Sequence, residues 1–339
     1  MTRPSLRILV TGATGFIGGR LACHLAAQGH HVRALVRREA PELIKNGVEL
    51  VPGDITTTDT LRTAMRGIEA VFHLAAVRDV WGAPAAIYQH VNVEGTRYLL
   101  EAAAESGIQR FVYCSSVGVA RYPGNLAADE TLPYSEPTSQ VLYHRTKAQA
   151  EQIALDAQTV VVRPVITYGP GDENGFLTRL IALLIQGRFL GIGNGRNHVD
   201  LVYVDDLIAG MEAALEKGAA GRVYILSGTA PIQVRVLLAE ICKLLGRKPP
   251  YVYVPTPIAL MAGWGMEMLW HGMVKPMGWS DQSPFITRDK VATLTVDRGF
   301  SHKRASLELG YRPQIDYSEG IQRTLAWILG KTVSEYEAD

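Results

Sequence analysis

The sequence predicts an α/β protein, in which a parallel sheet covered on both faces is joined to a smaller, partly interleaved C-terminal part. Three observations predict it. Apolar runs of strand length alternate with longer amphipathic segments from the N-terminus to about residue 165. Three glycines stand directly after the first such run, where a strand would turn into a helix. Beyond residue 165 the alternation becomes irregular, and Gly, Pro and aromatic residues cluster in 168–198 and 249–285.

Taken in order, the strand candidates are 7–11, 31–36, 48–51, 70–74, 110–115 and 159–163. Their β-branched and aromatic side chains suit a buried, pleated surface. Between the first two, "FIGGRLACHLAAQG" has a helical pattern and stops at Gly29, a residue that readily takes the left-handed conformation closing many helices. Further helical patterns lie at 205–215, 234–245, 302–309 and 317–329. We expect a first domain over 1–165, to which 199–230 returns, and a second part made of 166–198 and 231–339. No internal repeat or low-complexity linker is visible.

A chain of 339 residues has room for one large domain with an appendage. Its 47% hydrophobic and 20% charged residues are ordinary for a globular protein. Thirty-four basic against thirty-three acidic side chains give a net charge of +1, which offers no footprint for nucleic acid or an anionic membrane. Cys23, Cys114 and Cys242 are odd in number and widely spaced, so they read as reduced thiols rather than a disulfide framework. The N-terminus lacks the apolar core and cleavage site of a secretory signal. The longest uncharged stretch, "PPYVYVPTPIALMAGWGM" (249–266), is broken by four prolines and is short for a span of roughly 20 apolar residues. The expectations are a cytoplasmic protein with no integral membrane segment and no nucleic-acid partner.

"ILVTGATGFIGGRL" places Gly12, Gly15 and Gly18 after the first strand as G-x-x-G-x-x-G. That spacing supplies a tight turn, close backbone approach to a pyrophosphate, and a helix N-terminus aimed at the anion. At the end of the second strand a carboxylate would bind the ribose 2′-hydroxyl of NAD, whereas an arginine would accept the 2′-phosphate of NADP. Arg37 and Arg38 stand there, and the first acid is Glu39, so NADP is expected over NAD, with Arg37 as the phosphate contact. The structural alternative is a solvated charge pair on a loop. "PGDIT" (52–56) follows the third strand, where Asp54 and Ile55 would meet the adenine.

"YHRTK" sets Tyr143 and Lys147 four residues apart, on one face of a helical pattern. A tyrosine of pKa about 10 is a poor acid-base group near neutrality, and a neighbouring ammonium lowers it by stabilising the phenolate. "FVYCSSVGVA" ends the fifth strand in Ser115 and Ser116, where a hydroxyl can donate to a carbonyl as charge develops on it. Taken alone, each feature has a plain structural reading, as turn chemistry or a chance surface helix. Asp205 and Asp206, adjacent in "VDLVYVDDL", read as an N-cap plus a favourable helix-dipole interaction, and no metal site is expected.

"TGATGFIGG", "GDIT", "VFHLAA", "VNVEGT", "CSSVGVA", "YHRTK", "RPVITYGPGD" and "VDLVYVDDL" occur in the order found in extended short-chain dehydrogenases/reductases, which this chain resembles over most of its length. The resemblance implies a Rossmann-type doubly wound parallel sheet, with 1–165 as the NAD(P)-binding domain and the second part binding substrate. It also implies hydride transfer at a nicotinamide and a Ser116–Tyr143–Lys147 triad. Ser116 would polarise the substrate carbonyl, Tyr143 would exchange the proton, and Lys147 would tune Tyr143 and hold the nicotinamide ribose. Asn92 would steady the active-site helix. Thr14, Phe16, Ile17, Ala75 and Ala76 would complete the cofactor contacts, with Pro164 and Val165 lining the nicotinamide end. The family further implies a homodimer through helices near 84–106 and 141–155. Ala120 departs from the tyrosine-glycine pair that many relatives carry after this serine strand.

Members acting on nucleotide-sugars often carry R-x-x-N-x-Y-G-P, with the asparagine on the diphosphate side. Here that position is Ile166, which cannot donate a hydrogen bond and would leave a buried diphosphate undersatisfied. Arg-Pro followed by an apolar pair instead resembles the 3β-hydroxysteroid dehydrogenase and dihydroflavonol reductase branch, as does "RDVWG" (78–82). Ser116, Ile166 and Tyr168 are then the candidate substrate contacts. The Met- and Trp-rich segment 256–279, with Thr256 as N-cap and Pro257 in the first turn, reads as a buried cap helix or an oligomer contact, an apolar substrate wall, or a membrane contact. The expected activity is ketone/alcohol interconversion on a small apolar substrate of steroid, flavonoid or β-keto-acyl type. One alternative is a nucleotide-sugar epimerase or dehydratase, which would need diphosphate-binding side chains. Another is a non-catalytic dinucleotide sensor or structural subunit, which would be expected to lack the tyrosine or the lysine.

Overall fold

The six predicted strands form within one residue of their expected bounds: β1 (Arg7–Thr11), β2 (His31–Val36), β3 (Glu49–Pro52), β4 (Ala70–His73), β5 (Arg110–Cys114) and β6 (Val160–Pro164). Among the described residues, seven strands of two to four residues follow: β7 (Ile166–Tyr168), β8 (Gly191–Ile192), β9 (His198–Val199), β10 (Leu201–Tyr203), β11 (Val223–Leu226), β12 (Ile232–Gln233) and β13 (Tyr253–Val254). The computed structural model describes residues 4–78, 84–120, 124–134, 142–250, 253–270, 272 and 286–330. Most of "RDVWG" and the end of segment 256–279 lie outside those residues.

One seven-stranded parallel sheet runs β11-β6-β5-β4-β1-β2-β3. Strand order reverses between β1 and β4, and ligands of such sheets bind beyond the carboxyl ends at that switch. Side chains alternate between the two faces. Ile8, Val10, Phe72, Val112 and Val162 pack into one core with helices Phe16–Ala27 and Val204–Lys217. Leu9, Val71, Phe111 and Val161 pack into a second core with helices Thr58–Met65, Gly95–Glu105 and Leu142–Asp156. The doubly wound α/β fold is therefore as expected, and β11 adds residues 223–226 to that sheet through β6.

The later segments form three small ladders, β7 with β10, β9 with β12 and β8 with β13. Helix Tyr317–Ile328 packs on helices Phe176–Ile185 and Val234–Leu244 beside them. Two helix starts differ from expectation. Tyr203 is the N-cap of Val204–Lys217, so Asp205 and Asp206 lie inside the first turn. Asp205 pairs with Arg20 at 2.9 Å, and Asp206 accepts from the backbone N–H groups of Gln314 (2.9 Å) and Ile315 (3.0 Å). They suit the helix dipole but do not cap. Helix Thr256–Leu269 starts one residue early, with Pro255 as N-cap because its fixed φ of −54° already sets the approach.

Candidate active site

The glycine turn forms where β1 meets helix Phe16–Ala27. Gly12 has φ +75°, and a Cβ there would sit 2.7 Å from the Ala75 backbone nitrogen. A Cβ on Gly18 would lie 2.3 Å from the Gly12 carbonyl oxygen. Gly15 is the helix N-cap, and no side chain caps the first turn, so its backbone donors face the loop. Thr14 is exposed, Phe16 and Ile17 are half-buried, and Ala75 and Ala76 run past Gly12. This tight, side-chain-free cradle at a helix N-terminus fits a dinucleotide's pyrophosphate. Among the described residues no cluster of His, Cys, Asp and Glu could hold a metal.

Beyond the ends of β2 and β3, Arg37 is exposed and stands 3.9 Å from the Asp54 carboxylate. Burial alone would raise the Asp54 carboxyl, but the backbone N–H and hydroxyl of Thr56, at 2.9 and 2.7 Å, hold it below its ordinary range. Ile55 is buried in the second core, its side chain pressed on Gly95, where a Cβ would come within 2.8 Å. That side chain therefore packs inward rather than toward an adenine.

The proposed triad sits on β5 and on helix Leu142–Asp156. Ser115 is buried, and its Oγ has no partner among the described residues. Ser116 is half-buried, and its Oγ accepts from Gly118 N at 3.2 Å, capping a short turn. Accepting there leaves the hydroxyl proton free to donate to a substrate oxygen. A Cβ on Gly118 would come within 2.4 Å of His144, so glycine lets the serine turn lie against the residue after Tyr143. Lys147 is 2% exposed, donates to the Cys114 carbonyl at 2.6 Å and lies 4.1 Å above the Tyr113 ring. Burial pulls its ammonium down to about 8, opposed by Cys114 and Glu151.

Asn92 occupies a π-helical turn, Gln89–Glu94, before helix Gly95–Glu105. Its Oδ1 accepts from Val77 N (2.7 Å), and its Nδ2 donates to Val77 O (3.1 Å) and Thr146 Oγ1 (3.0 Å). One side chain thus joins the loop after β4 to the helix bearing Tyr143 and Lys147. A second chain of hydrogen bonds runs behind it. Thr96 gives its hydroxyl proton to Asn92 O at 2.6 Å, so it must accept from His73 Nε2 at 2.9 Å. His73 Nδ1 then accepts from Thr11 at 2.7 Å, and Thr11 accepts from Ala75 N at 3.2 Å. Burial, reinforced by Lys147, holds His73 down to about 3, so the imidazole is neutral and this tautomer is fixed.

"RPVITYGPGD" closes the site. Pro164 and Val165 are buried at the end of β6, and Ile166 is half-buried. Gly171, at φ +93°, brings the turn over Phe16, with an added Cβ 3.7 Å from that ring. Tyr168 does not reach a substrate: it is 1% exposed, its ring meets Tyr203 edge-on, and its hydroxyl abuts Gly320. Ile166 and Tyr168 share a face of β7, and at its far end helix Tyr317–Ile328 covers that face, with Gly320 against the Tyr168 hydroxyl. Arg163 also turns inward, holding Glu151 through both Nε (3.1 Å) and Nη2 (2.6 Å), while Tyr134 donates to the same carboxylate at 2.8 Å.

Thr11, His73, Thr96, Tyr134, Thr146 and Glu151 were not singled out from the sequence. A signal existed for two of them. His73 and Glu151 are polar residues inside apolar runs, "AVFHLAA" and "AQAEQIALD", and Glu151 follows Lys147 by one turn. The hydroxyls carry no such mark.

The sequence profile described as the NAD dependent epimerase/dehydratase family matches residues 8–227. The chain is 34% identical over 335 residues to 2-alkyl-3-oxoalkanoate reductase of Stenotrophomonas maltophilia, covering 95% of this chain and 99% of that protein. It is 30% identical over 344 residues to 3 beta-hydroxysteroid dehydrogenase/Delta 5-->4-isomerase of Mycobacterium tuberculosis, covering 95% and 90%. The crystal structure of gox2253 superposes with a TM-score of 0.79 at 32% identity, covering 95% of this chain and 98% of that one. With its doubly wound sheet and glycine cradle, the chain belongs to the NAD-dependent epimerase/dehydratase family of extended short-chain dehydrogenases/reductases and is an NAD(P)-dependent oxidoreductase.

Proposed function

We propose that this protein interconverts a ketone and a secondary alcohol on an apolar substrate of steroid, flavonoid or β-keto-acyl type, using NADP and Ser116, Tyr143 and Lys147. The observation that carries this is the end of β6. Ile166, which has no donor, stands where a diphosphate binder would place asparagine, and Arg163 is buried and turned to Glu151. The two relatives above, named as a reductase of 3-oxoalkanoates and a hydroxysteroid dehydrogenase, support the same substrate class.

A bound nicotinamide dinucleotide supplies the hydride in reduction and takes it up in oxidation. Gly12, Gly15 and Gly18 would hold its pyrophosphate, and the exposed Arg37 would meet a 2′-phosphate. During reduction Tyr143 gives its proton to the substrate oxygen while Ser116 donates a hydrogen bond to it. Lys147 remains protonated beside the Cys114 carbonyl and lowers the cost of the phenolate left on Tyr143. Helices Gly95–Glu105 and Leu142–Asp156 would form the contact of a cytoplasmic homodimer.

Fluorescence titration with NADPH and NADH, followed by turnover on steroid, flavonoid and β-keto-acyl ketones, tests this. NADPH should bind at least about tenfold more tightly, since one phosphate–arginine contact contributes on the order of 1.4 kcal/mol or more. Equal affinities would remove Arg37 from the account. Isomerisation of a UDP-sugar would favour the epimerase alternative instead.

A further inference from the structure

We propose that Glu151 and Arg163 are positioning residues whose buried pair fixes the charge of Lys147, and through it the proton held by Tyr143. This rests on the Tyr143–Lys147 reading above. The geometry follows from the alternation of the sheet. Thr11, His73, Tyr113 and Arg163 continue the face of Leu9, Val71, Phe111 and Val161, so the strand ends replace a hydrophobic face with polar side chains. Helix Leu142–Asp156 lies on that face and buries Lys147 and, one turn on, Glu151.

Glu151 is 0% exposed and fully engaged by Arg163 and Tyr134. Arg163 is 3% exposed, and its Nη1 has no hydrogen-bond partner among the described residues. A buried pair of this kind gives little net stability but is costly to break on one side. Its effect on Lys147 is one of balance. Glu151 raises the Lys147 ammonium, and Arg163, bound to the same carboxylate, draws on that charge.

The other buried groups around Lys147 are uncharged. On β5, burial pushes the Cys114 thiol up to about 11 and the Tyr113 hydroxyl well above its ordinary value. On β4, His73 is neutral. On the neighbouring 89–105 segment, His90 and Glu101 are exposed, Glu94 pairs with Arg97 (3.2 Å) and Glu105 with Arg62 (3.3 Å). Tyr143, on the same helix, is the group that Lys147 serves.

Removing an anion favours proton loss from every nearby acid, and removing a cation opposes it. Glu151→Gln should therefore lower the Lys147 titration by about one pH unit, and Arg163→Met, which leaves the Glu151 anion unpaired, should raise it. The double variant should lie between the two single variants. Repacking or partial unfolding does not produce opposite signs.

The titration is read without cofactor or substrate, by NMR of protein labelled with 13Cε-lysine, with the resonance assigned by its loss in Lys147→Arg. In ketone reduction, which needs a charged Lys147 beside protonated Tyr143, the alkaline limb of kcat/KM follows loss of the Lys147 proton and should move down in pH for Glu151→Gln and up for Arg163→Met. Where a single variant does not fold, Tyr134→Phe removes only one hydrogen bond from Glu151 at a partly exposed position. It should raise the Lys147 titration by a few tenths of a unit, on the order of a quarter of the full charge effect. Shifts of one sign in both single variants, or no shift in the NMR titration, would overturn the proposal. If Tyr143→Phe keeps full turnover, the triad itself fails and the proposal with it. A dead Tyr143→Phe enzyme with unmoved limbs removes only the role of the pair.

Discussion

Asn92→Ala should destabilise the protein and slow it at the same time. The amide is 1% exposed and makes three hydrogen bonds, to Val77 N, Val77 O and Thr146 Oγ1. At about 1 kcal/mol each, with the half-buried Val77 N–H left unpaired, the loss comes to about 3–4 kcal/mol. For a chain of this size that lowers Tm by about 4–6 °C. Thr146 keeps its bond to Leu142 O at 2.8 Å, so helix Leu142–Asp156 persists but loses its tie to the loop after β4. Misplacing Tyr143 and Lys147 by a fraction of an ångström should cost kcat on the order of tenfold to a hundredfold. Thermal unfolding by circular dichroism, together with kcat, reads both effects. Asn92→Asp should be no better than alanine, because a carboxylate oxygen would face the Val77 carbonyl. A Tm within about 1 °C of wild type would refute the reasoning, since that corresponds to less than about 1 kcal/mol.

Three further changes have defined outcomes. Gly18→Ala puts a methyl 2.3 Å from the Gly12 carbonyl, so the cradle must open; dinucleotide affinity by fluorescence titration should fall at least about tenfold, and unchanged affinity would contradict the cradle. Arg37→Ala should weaken NADPH binding by about tenfold or more while leaving NADH nearly unchanged, as expected for loss of a single phosphate contact; an equal effect on both would argue against the 2′-phosphate contact. Asp200→Asn should stabilise the protein increasingly as pH rises. Burial lifts the Asp200 carboxyl to about 7, against backbone hydrogen bonds from Phe300, Gly228 and Leu201. Between its unfolded value of about 3.9 and that folded value the native state holds a proton the unfolded chain does not, so stability falls through the window and the cost is complete above it. The Tm advantage of the asparagine variant should be small near pH 4 and largest above pH 7, and a constant difference would refute it.

The main sheet was legible because its signal is repeated. Each of the first six strands is an apolar run ended by a turn, and the glycine spacing of 12, 15 and 18 follows from steric contacts a Cβ would make. The three small ladders were not legible, since strands of two or three residues carry no periodicity. Tyr168 shows a different limit. A motif fixes where a residue stands along the chain, but the face it turns to depends on β7 pairing with β10 and on helix Tyr317–Ile328 packing above. Arg163 was conspicuous in "RPVITYGPGD" as a charge closing an apolar strand, yet its partner Glu151 lies on another element. Sequence spacing cannot show that pairing.

The most direct measurement is deuterium transfer from 4-deuterated NADPH to a β-keto-acyl or steroid ketone, run with wild type and Tyr143→Phe. Wild type should deliver deuterium to the new carbinol carbon, and loss of the Tyr143 hydroxyl should lower kcat by about a hundredfold or more, the usual worth of a positioned proton donor. Turnover by Tyr143→Phe within a factor of about two of wild type would mean that Tyr143 is not the proton donor, because removing such a group costs on the order of 10²–10⁴ in rate.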